Sequence, residues 1–181
     1  MNPFIDIDTP EKAYWAGYLA LASLVDGDDT LITSSNEVGH LHSLEVIIPQ
    51  GDVGTFEVDA MGERVMIYET FQVVDPSVVE SFMKLTVPPS IVRKLARDYI
   101  RGMMDARPVW EWSMESIDLD LPLNMADYVM EFMPYLHVEH LFNGRMRLYT
   151  NTRWNTYRAL TYLYRDTTVA KSSRKSVYDG L

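Results

Sequence analysis

The chain has 181 residues, 47% hydrophobic and 23% charged, a composition that can bury a core and excludes a disordered chain. It has no cysteine, which excludes disulfides, thiolate zinc sites and cysteine nucleophiles and suits a reducing compartment, so a cytoplasmic (intracellular) location is expected. The net charge of −10 is uneven: residues 1–84 hold three bases (Lys12, Arg64, Lys84) against 15 acids, and residues 85–181 hold 13 bases against 11 acids.

The first segment, MNPFIDIDTPEK, has neither a basic start nor a long apolar run, so no signal peptide is expected there. No later stretch approaches the roughly 18 apolar residues of a membrane span, so no membrane partner is expected. Pro10 after Thr9 opens a helical stretch that continues for about four turns. A strand-like run follows at residues 30–33. Residues 43–48 and 65–71 look like strands, and residues 77–83 predict a short helix capped by Asp75 and started by Pro76. In the second half, residues 89–108 are helix-compatible, and residues 109–112 (VWEW) are strand-like. Residues 124–132 are amphipathic, residues 145–149 alternate as a strand, and residues 154–164 return to helix. Residues 85–89 (LTVPP) are the one visible linker, dividing the chain into halves 1–87 and 88–181 within one compact unit.

The two halves align at an offset of 79. Pro10 meets Pro89, Ser23 meets Gly102, Asp26 meets Asp105 and Gly27 meets Ala106. Ala16, Ala20, Ser23 and Gly27 form one helical stripe, matched by Leu95, Tyr99, Gly102 and Ala106. Small side chains admit close helix approach, so Ala16, Ala20, Ser23, Gly27, Gly102 and Ala106 are the expected helix–helix interface. An ordinary packing helix explains one such stripe but not two at a constant offset.

Within these windows, residues 21–29 (LASLVDGDD) resemble the LAGLIDADG motif, and residues 100–108 (IRGMMDARP) are a more degenerate copy. The chain thus resembles the LAGLIDADG homing endonucleases over roughly residues 9–178. The resemblance implies an α+β fold: a pseudo-twofold, duplicated saddle with two central helices and two antiparallel sheets, in one monomer. It also implies metal-dependent phosphodiester hydrolysis, using the last acid of each motif. Mg²⁺ takes oxygen ligands, and cutting two strands requires carboxylates from both repeats. The first such position is Asp28 and the second is Arg107, whose guanidinium cannot ligate a cation. The expected outcome is an Asp28–Arg107 ion pair in place of metal, with no cofactor; the alternative is two unrelated exposed charges. A second register, on residues 13–19 (AYWAGYL), places the first position at Ala22, again without an acid.

Other chemistry is sparse. His40 with His42 on a strand, and His137 with His140 on a helix, could each share a face, but no zinc spacing accompanies them. Nucleic-acid candidates are Arg145, Arg147, Tyr149, Arg153, Arg158, Lys171, Arg174 and Lys175. The other reading of these bases is a solvated face balancing the acidic half or an acidic partner. Three functions follow. One is a catalytically inactive protein that binds a protein or nucleoprotein partner. The second is a DNA- or RNA-binding regulator or maturase-like protein using the basic C-terminal repeat. The third is an active homing endonuclease, against which Arg107 argues.

Overall fold

A computed structural model of the chain describes residues 4, 6–27, 29–60, 64–85, 93–106 and 116–180. Asp28, Arg107, the strand expected at residues 109–112 and most of the expected linker lie outside the described residues.

Helix α1 (Pro10–Ala22) starts where the sequence places it: Thr9 caps it by accepting from the Lys12 N–H at 3.2 Å, with proline in the first turn. It ends earlier than expected. After Ala22 the chain enters β1 (Ser23–Asp26) with no loop, and β1 pairs antiparallel with β2 (Thr30–Ser35) from Ser23↔Thr33 to Asp26↔Thr30. The ladder supplies partners that a further helical turn would otherwise have supplied, and Leu24 and Val25 suit a strand. Ser23 and Gly27 therefore leave the expected helical stripe. Ser23 opens a strand, and Gly27 turns the chain at φ 66°, a conformation glycine adopts without steric cost.

Strands β3 (Asp52–Ala60) and β4 (Arg64–Val74) complete a four-stranded antiparallel sheet in the order β1-β2-β4-β3. Residues 43–48 are not the expected strand. They hold the rest of the short helix α2 (His42–Glu45) and the turn after it. Leu44 and Ile48 are buried four residues apart while Val46 is 82% exposed, which is helical rather than alternating burial. The buried Glu69 carboxylate fixes the turn before α2, accepting from the Gly39 N–H at 2.5 Å and the Leu41 N–H at 2.9 Å. Helix α3 (Pro76–Leu85) is capped by Asp75, which accepts from the Ser77 N–H at 2.8 Å.

The second half places α4 (Ala96–Asp105), β5 (Asp118–Pro122), α5 (Leu123–Phe132), β6 (His137–His140), β7 (Arg145–Tyr149), α6 (Arg153–Tyr164) and α7 (Ser172–Asp179) in chain order. Its antiparallel sheet has the order β5-β7-β6. His137 and His140 lie on β6, where odd spacing sends them to opposite faces. His42 is exposed on α2, whereas His40 is buried before it. Neither histidine pair shares the face expected of it.

α1 and α4 pack against each other at the centre of a continuous core. Residues 13–19 of α1 are all buried, as are all of α4 except Arg97. A helix enclosed on every side belongs in the middle of the molecule. The sheets lie on either side in sequence, one within residues 23–74 and the other within 118–149.

Candidate functional site

The central helices touch backbone to backbone at one glycine each. A Cβ on Gly17 would stand 2.0 Å from the Tyr99 carbonyl oxygen and 3.1 Å from the Met103 nitrogen. A Cβ on Gly102 would stand 1.9 Å from the Tyr14 carbonyl oxygen and 2.8 Å from the Tyr18 nitrogen. The contact is reciprocal: Tyr14, Gly17 and Tyr18 correspond to Tyr99, Gly102 and Met103, a constant offset of 85 (99 − 14, 102 − 17 and 103 − 18). The alignment at 79 is thereby corrected to the register on residues 13–19. Carried along the sequence, this offset makes Ala22 the counterpart of Arg107. Asp28 comes in sequence after β1, beyond the helix end.

Ala22 is half-buried, and its carbonyl accepts from Thr33 Oγ1 at 3.1 Å. In sequence register, alanine and arginine thus fall where the resemblance implies metal-ligating carboxylates. That donor set does not fit Mg²⁺ or Ca²⁺, which need oxygen ligands. Among the described residues, no three His, Asp or Glu side chains gather as a cation would require.

What the centre holds instead is a buried polar network. The Asp105 carboxylate accepts from the Tyr14 hydroxyl at 2.9 Å, from the Lys171 N–H at 2.8 Å and from the Tyr164 hydroxyl. Burial raises its pKa, and these three hydrogen bonds oppose the shift. Tyr14 Oη lies 3.0 Å from His40 Nε2. Tyr14 has one proton and gives it to Asp105, so a neutral His40 serves it as an Nε2–H donor. Burial pushes the His40 pKa down to about 3, helped by the Lys171 charge. Lys171 reaches Asn36 Oδ1 at 3.3 Å and lies over the Tyr18 ring; burial lowers its pKa to about 8.

The C-terminal segment is pinned by further contacts, one set from the first half and one from α4. Glu37 accepts from the Ser172 and Ser173 N–H groups at 2.6 and 3.2 Å, at the start of α7. Arg101, buried on α4, bonds Asp98 at 2.6 Å and donates to the Leu163 and Val169 carbonyls at 3.0 and 2.7 Å.

The His40 shift fixes a pH dependence. Its folded pKa lies below the ordinary 6.5, so the stability it contributes is complete above pH 6.5 and is lost as pH falls towards 3. Each unit is worth about 1.4 kcal/mol. Relative to His40→Gln, the wild type should lose about 2 to 3 kcal/mol between pH 6.5 and 4.5, read from urea unfolding at the two pH values. A pH-independent difference would refute the assignment.

The expected nucleic-acid residues are scattered by the fold. Arg145, Arg147 and Tyr149 point to the outer face of β7 while Met146 and Leu148 are buried. That face is largely neutralised: Arg145 bonds Asp120 at 2.7 Å, and Arg147 bonds Asp118 at 2.9 Å and Glu139 at 3.4 Å. Lys175 is held by Asp179 at 2.8 Å, and Arg158 lies 4.2 Å over the Tyr135 ring. Lys171 and Arg174 are only 2% and 1% exposed, which takes them out of reach of a phosphate backbone. Arg153 is exposed at the start of α6.

The outer face of the first sheet carries no base among its described side chains. Its register aligns Leu24, Ile32, Gln72 and Asp52 in one row, and Asp26, Thr30 and Val74 in the next. Leu24 and Val74 are 74% and 63% exposed, and Phe56 stacks on Tyr68 at 5.4 Å between ring centroids. Sequence reasoning missed Gly17 and the Asp105 network. The repeated Tyr-x-x-Gly of residues 14–17 and 99–102 was the available signal for the first. The network joins residues as far apart as 14 and 171, so no local pattern announces it.

A duplicated α+β architecture with two glycine-contacted central helices flanked by antiparallel sheets defines the class. It is the LAGLIDADG homing-endonuclease fold. The chain is similar to the homing endonuclease I-DmoI in complex with DNA and Ca, with TM-score 0.60 and 10% identity, covering 100% of both chains. It is also similar to the homing endonuclease I-WcaI bound to its DNA recognition sequence, with TM-score 0.59 and 8% identity, covering 93% of this chain and 85% of that one. A third similarity is to full-length DUF199/WhiA from Thermatoga maritima, with TM-score 0.53 and 13% identity; it covers 95% of this chain but spans only 60% of that protein. No family model and no curated protein matches the sequence. Among the described residues, no helix is long and apolar enough to cross a membrane.

Proposed function

We propose that this chain is a catalytically inactive, non-enzymatic binding protein on a LAGLIDADG scaffold, and that its partner is a protein or nucleoprotein. The observation that carries the reading is the reciprocal Gly17–Gly102 contact, whose offset of 85 aligns Ala22 with Arg107 in sequence. On this reading neither repeat supplies the carboxylate that metal-assisted hydrolysis requires. The charge distribution supports a protein partner. Phosphate binding rests on cations that displace counterions. The first sheet's outer face has no described base, and the second sheet's two arginines are engaged by Asp118, Asp120 and Glu139.

Supercoiled plasmid incubated with Mg²⁺ or Mn²⁺ should remain uncut. Duplex DNA should show little gel shift at about 0.15 M salt, where weak surface electrostatics is screened. Metal-dependent nicking would overturn the inactive reading. Tight DNA binding that weakens steeply with salt would overturn the protein-partner reading.

One surface favours nucleic acid as a second reading, in keeping with the DNA in the I-DmoI and I-WcaI structures. Arg153, Trp154, Tyr157 and Arg158 are all exposed along α6, with the two rings stacked at 5.9 Å. Aromatic faces beside guanidinium groups suit single-stranded bases. If that surface binds, Trp154→Ala should weaken the gel shift.

A further inference from the structure

Strand β3 stands at the edge of the four-stranded sheet, paired on one side with β4 along its length from Asp52↔Gln72 to Ala60↔Arg64. No described strand pairs with its other side. An edge strand of nine residues turns a row of backbone donors and acceptors away from its one described partner strand. Natural edges are commonly blunted by lysine or proline, and the β3 sequence DVGTFEVDA has neither. Its three acids and absence of bases provide a different selectivity. A second copy of β3 would add three more acids alongside, and like charges on neighbouring strands destabilise pairing.

The side chains extend the same preference. Phe56 and Val58 are exposed on the outer face, with Phe56 stacked on Tyr68. On the opposite face, Glu57 is exposed and pairs in register with Ile67, itself 47% exposed. This part of the hairpin is open to solvent on both faces. An added strand would thus meet apolar side chains at every second position and a carboxylate between them.

We propose that the free edge of β3 takes an extended segment of a basic protein partner, in which apolar residues alternate with Lys or Arg. The segment becomes a fifth strand. Its backbone completes the open ladder, its apolar side chains lie beside Phe56 and Val58, and its cations face Glu57. Main-chain hydrogen bonds give such a complex its affinity, and the alternating side chains give its selectivity. The inference rests on the protein-partner reading and specifies where that partner binds.

The test is fluorescence anisotropy of the full chain with a labelled synthetic peptide alternating Val and Lys over about six residues, a common strand length. Saturable binding is expected. N-methylation of alternate peptide amides, which removes ladder donors, should weaken it roughly tenfold or more. Glu57→Lys, an exposed substitution that leaves the core intact, should weaken it by a similar factor. A peptide of the same composition with its valines and lysines in separate blocks should bind more weakly than the alternating one. Equal binding of the N-methylated or blocked peptide would overturn the proposal by showing charge attraction alone, as would no binding of any peptide. A parallel titration with duplex DNA separates the two failures. Tight, salt-sensitive DNA binding would sink the protein-partner reading itself, whereas absence of both peptide and DNA binding would sink only the strand at β3.

Discussion

Gly102→Ala should destabilise the protein by about 3 kcal/mol or more, a large part of the roughly 5 to 15 kcal/mol that holds a typical domain folded. The added methyl would sit 1.9 Å from the Tyr14 carbonyl oxygen and 2.8 Å from the Tyr18 nitrogen, both backbone atoms of the facing helix. No rotamer change relieves a clash between main chains, so α1 and α4 must separate, and both are packed on all sides. Alanine's better helix propensity offsets only about 1 kcal/mol of that. Gly17→Ala meets the Tyr99 carbonyl oxygen at 2.0 Å and should cost a similar amount. Because both substitutions push on the same helix pair, the double variant should lose less than the sum. Gly54→Ala is the control: its Cβ would find only Thr70 Oγ1 at 3.5 Å, an ordinary contact. Urea unfolding of the three variants checks the prediction. A Gly102→Ala protein within about 0.5 kcal/mol of wild type would show that the helices do not meet in this register.

Asp105→Leu is expected to cost about 3 to 5 kcal/mol, the range for breaking a buried, hydrogen-bonded charge cluster. It would leave the Tyr14 hydroxyl, the Tyr164 hydroxyl and the Lys171 N–H without their acceptor, in a place water does not reach. Asp105→Asn keeps one acceptor oxygen but turns an NH₂ towards donors, so its loss should be smaller. The pH dependence has a definite sign. Burial raises the folded pKa of Asp105, so the stability it contributes is complete below its unfolded value of 3.8 and declines as pH rises through the folded pKa. The wild-type advantage over Asp105→Asn should therefore shrink as pH rises, opposite in sense to the His40 effect. An advantage that grew with pH would mean that the hydrogen bonds outweigh the burial of the charge.

These two sites illustrate what a conserved-looking motif can conceal. The sequence LASLVDGDD matches LAGLIDADG at five of nine positions, yet the chain uses residues 10–22 as its central helix and places Ser23–Asp26 in a strand. Local resemblance cannot separate the two registers, because both satisfy helical spacing over a few turns. The register was decided by which residue lets two backbones approach, and Gly17, with Tyr99 and Met103 against it, meets that condition. The same limit explains residues 43–48. Their apolar, β-branched residues suit a strand, but Glu69, contributed by β4, binds the backbone at Gly39 and Leu41 and fixes the turn from which a helix starts.

The fold class was legible through a family resemblance, and the first turn of α1, the Asp75–Pro76 start of α3 and the extents of β7 and α6 were legible residue by residue. The latter depend on chemistry between near neighbours: a hydroxyl three residues from an N–H, or side chains alternating across one strand. The sequence by itself also determined that the acidic first half has few cations for phosphate, because charge is a property of composition. Packing of the whole chain set the offset of 85, the burial of Lys171 and Arg174, the pairing of Arg145 and Arg147 with β5 acids, and the edge position of β3 among the described strands. Each of these depends on residues distant in sequence meeting across a helix contact or a sheet, and which of them meet is settled only when the whole core packs.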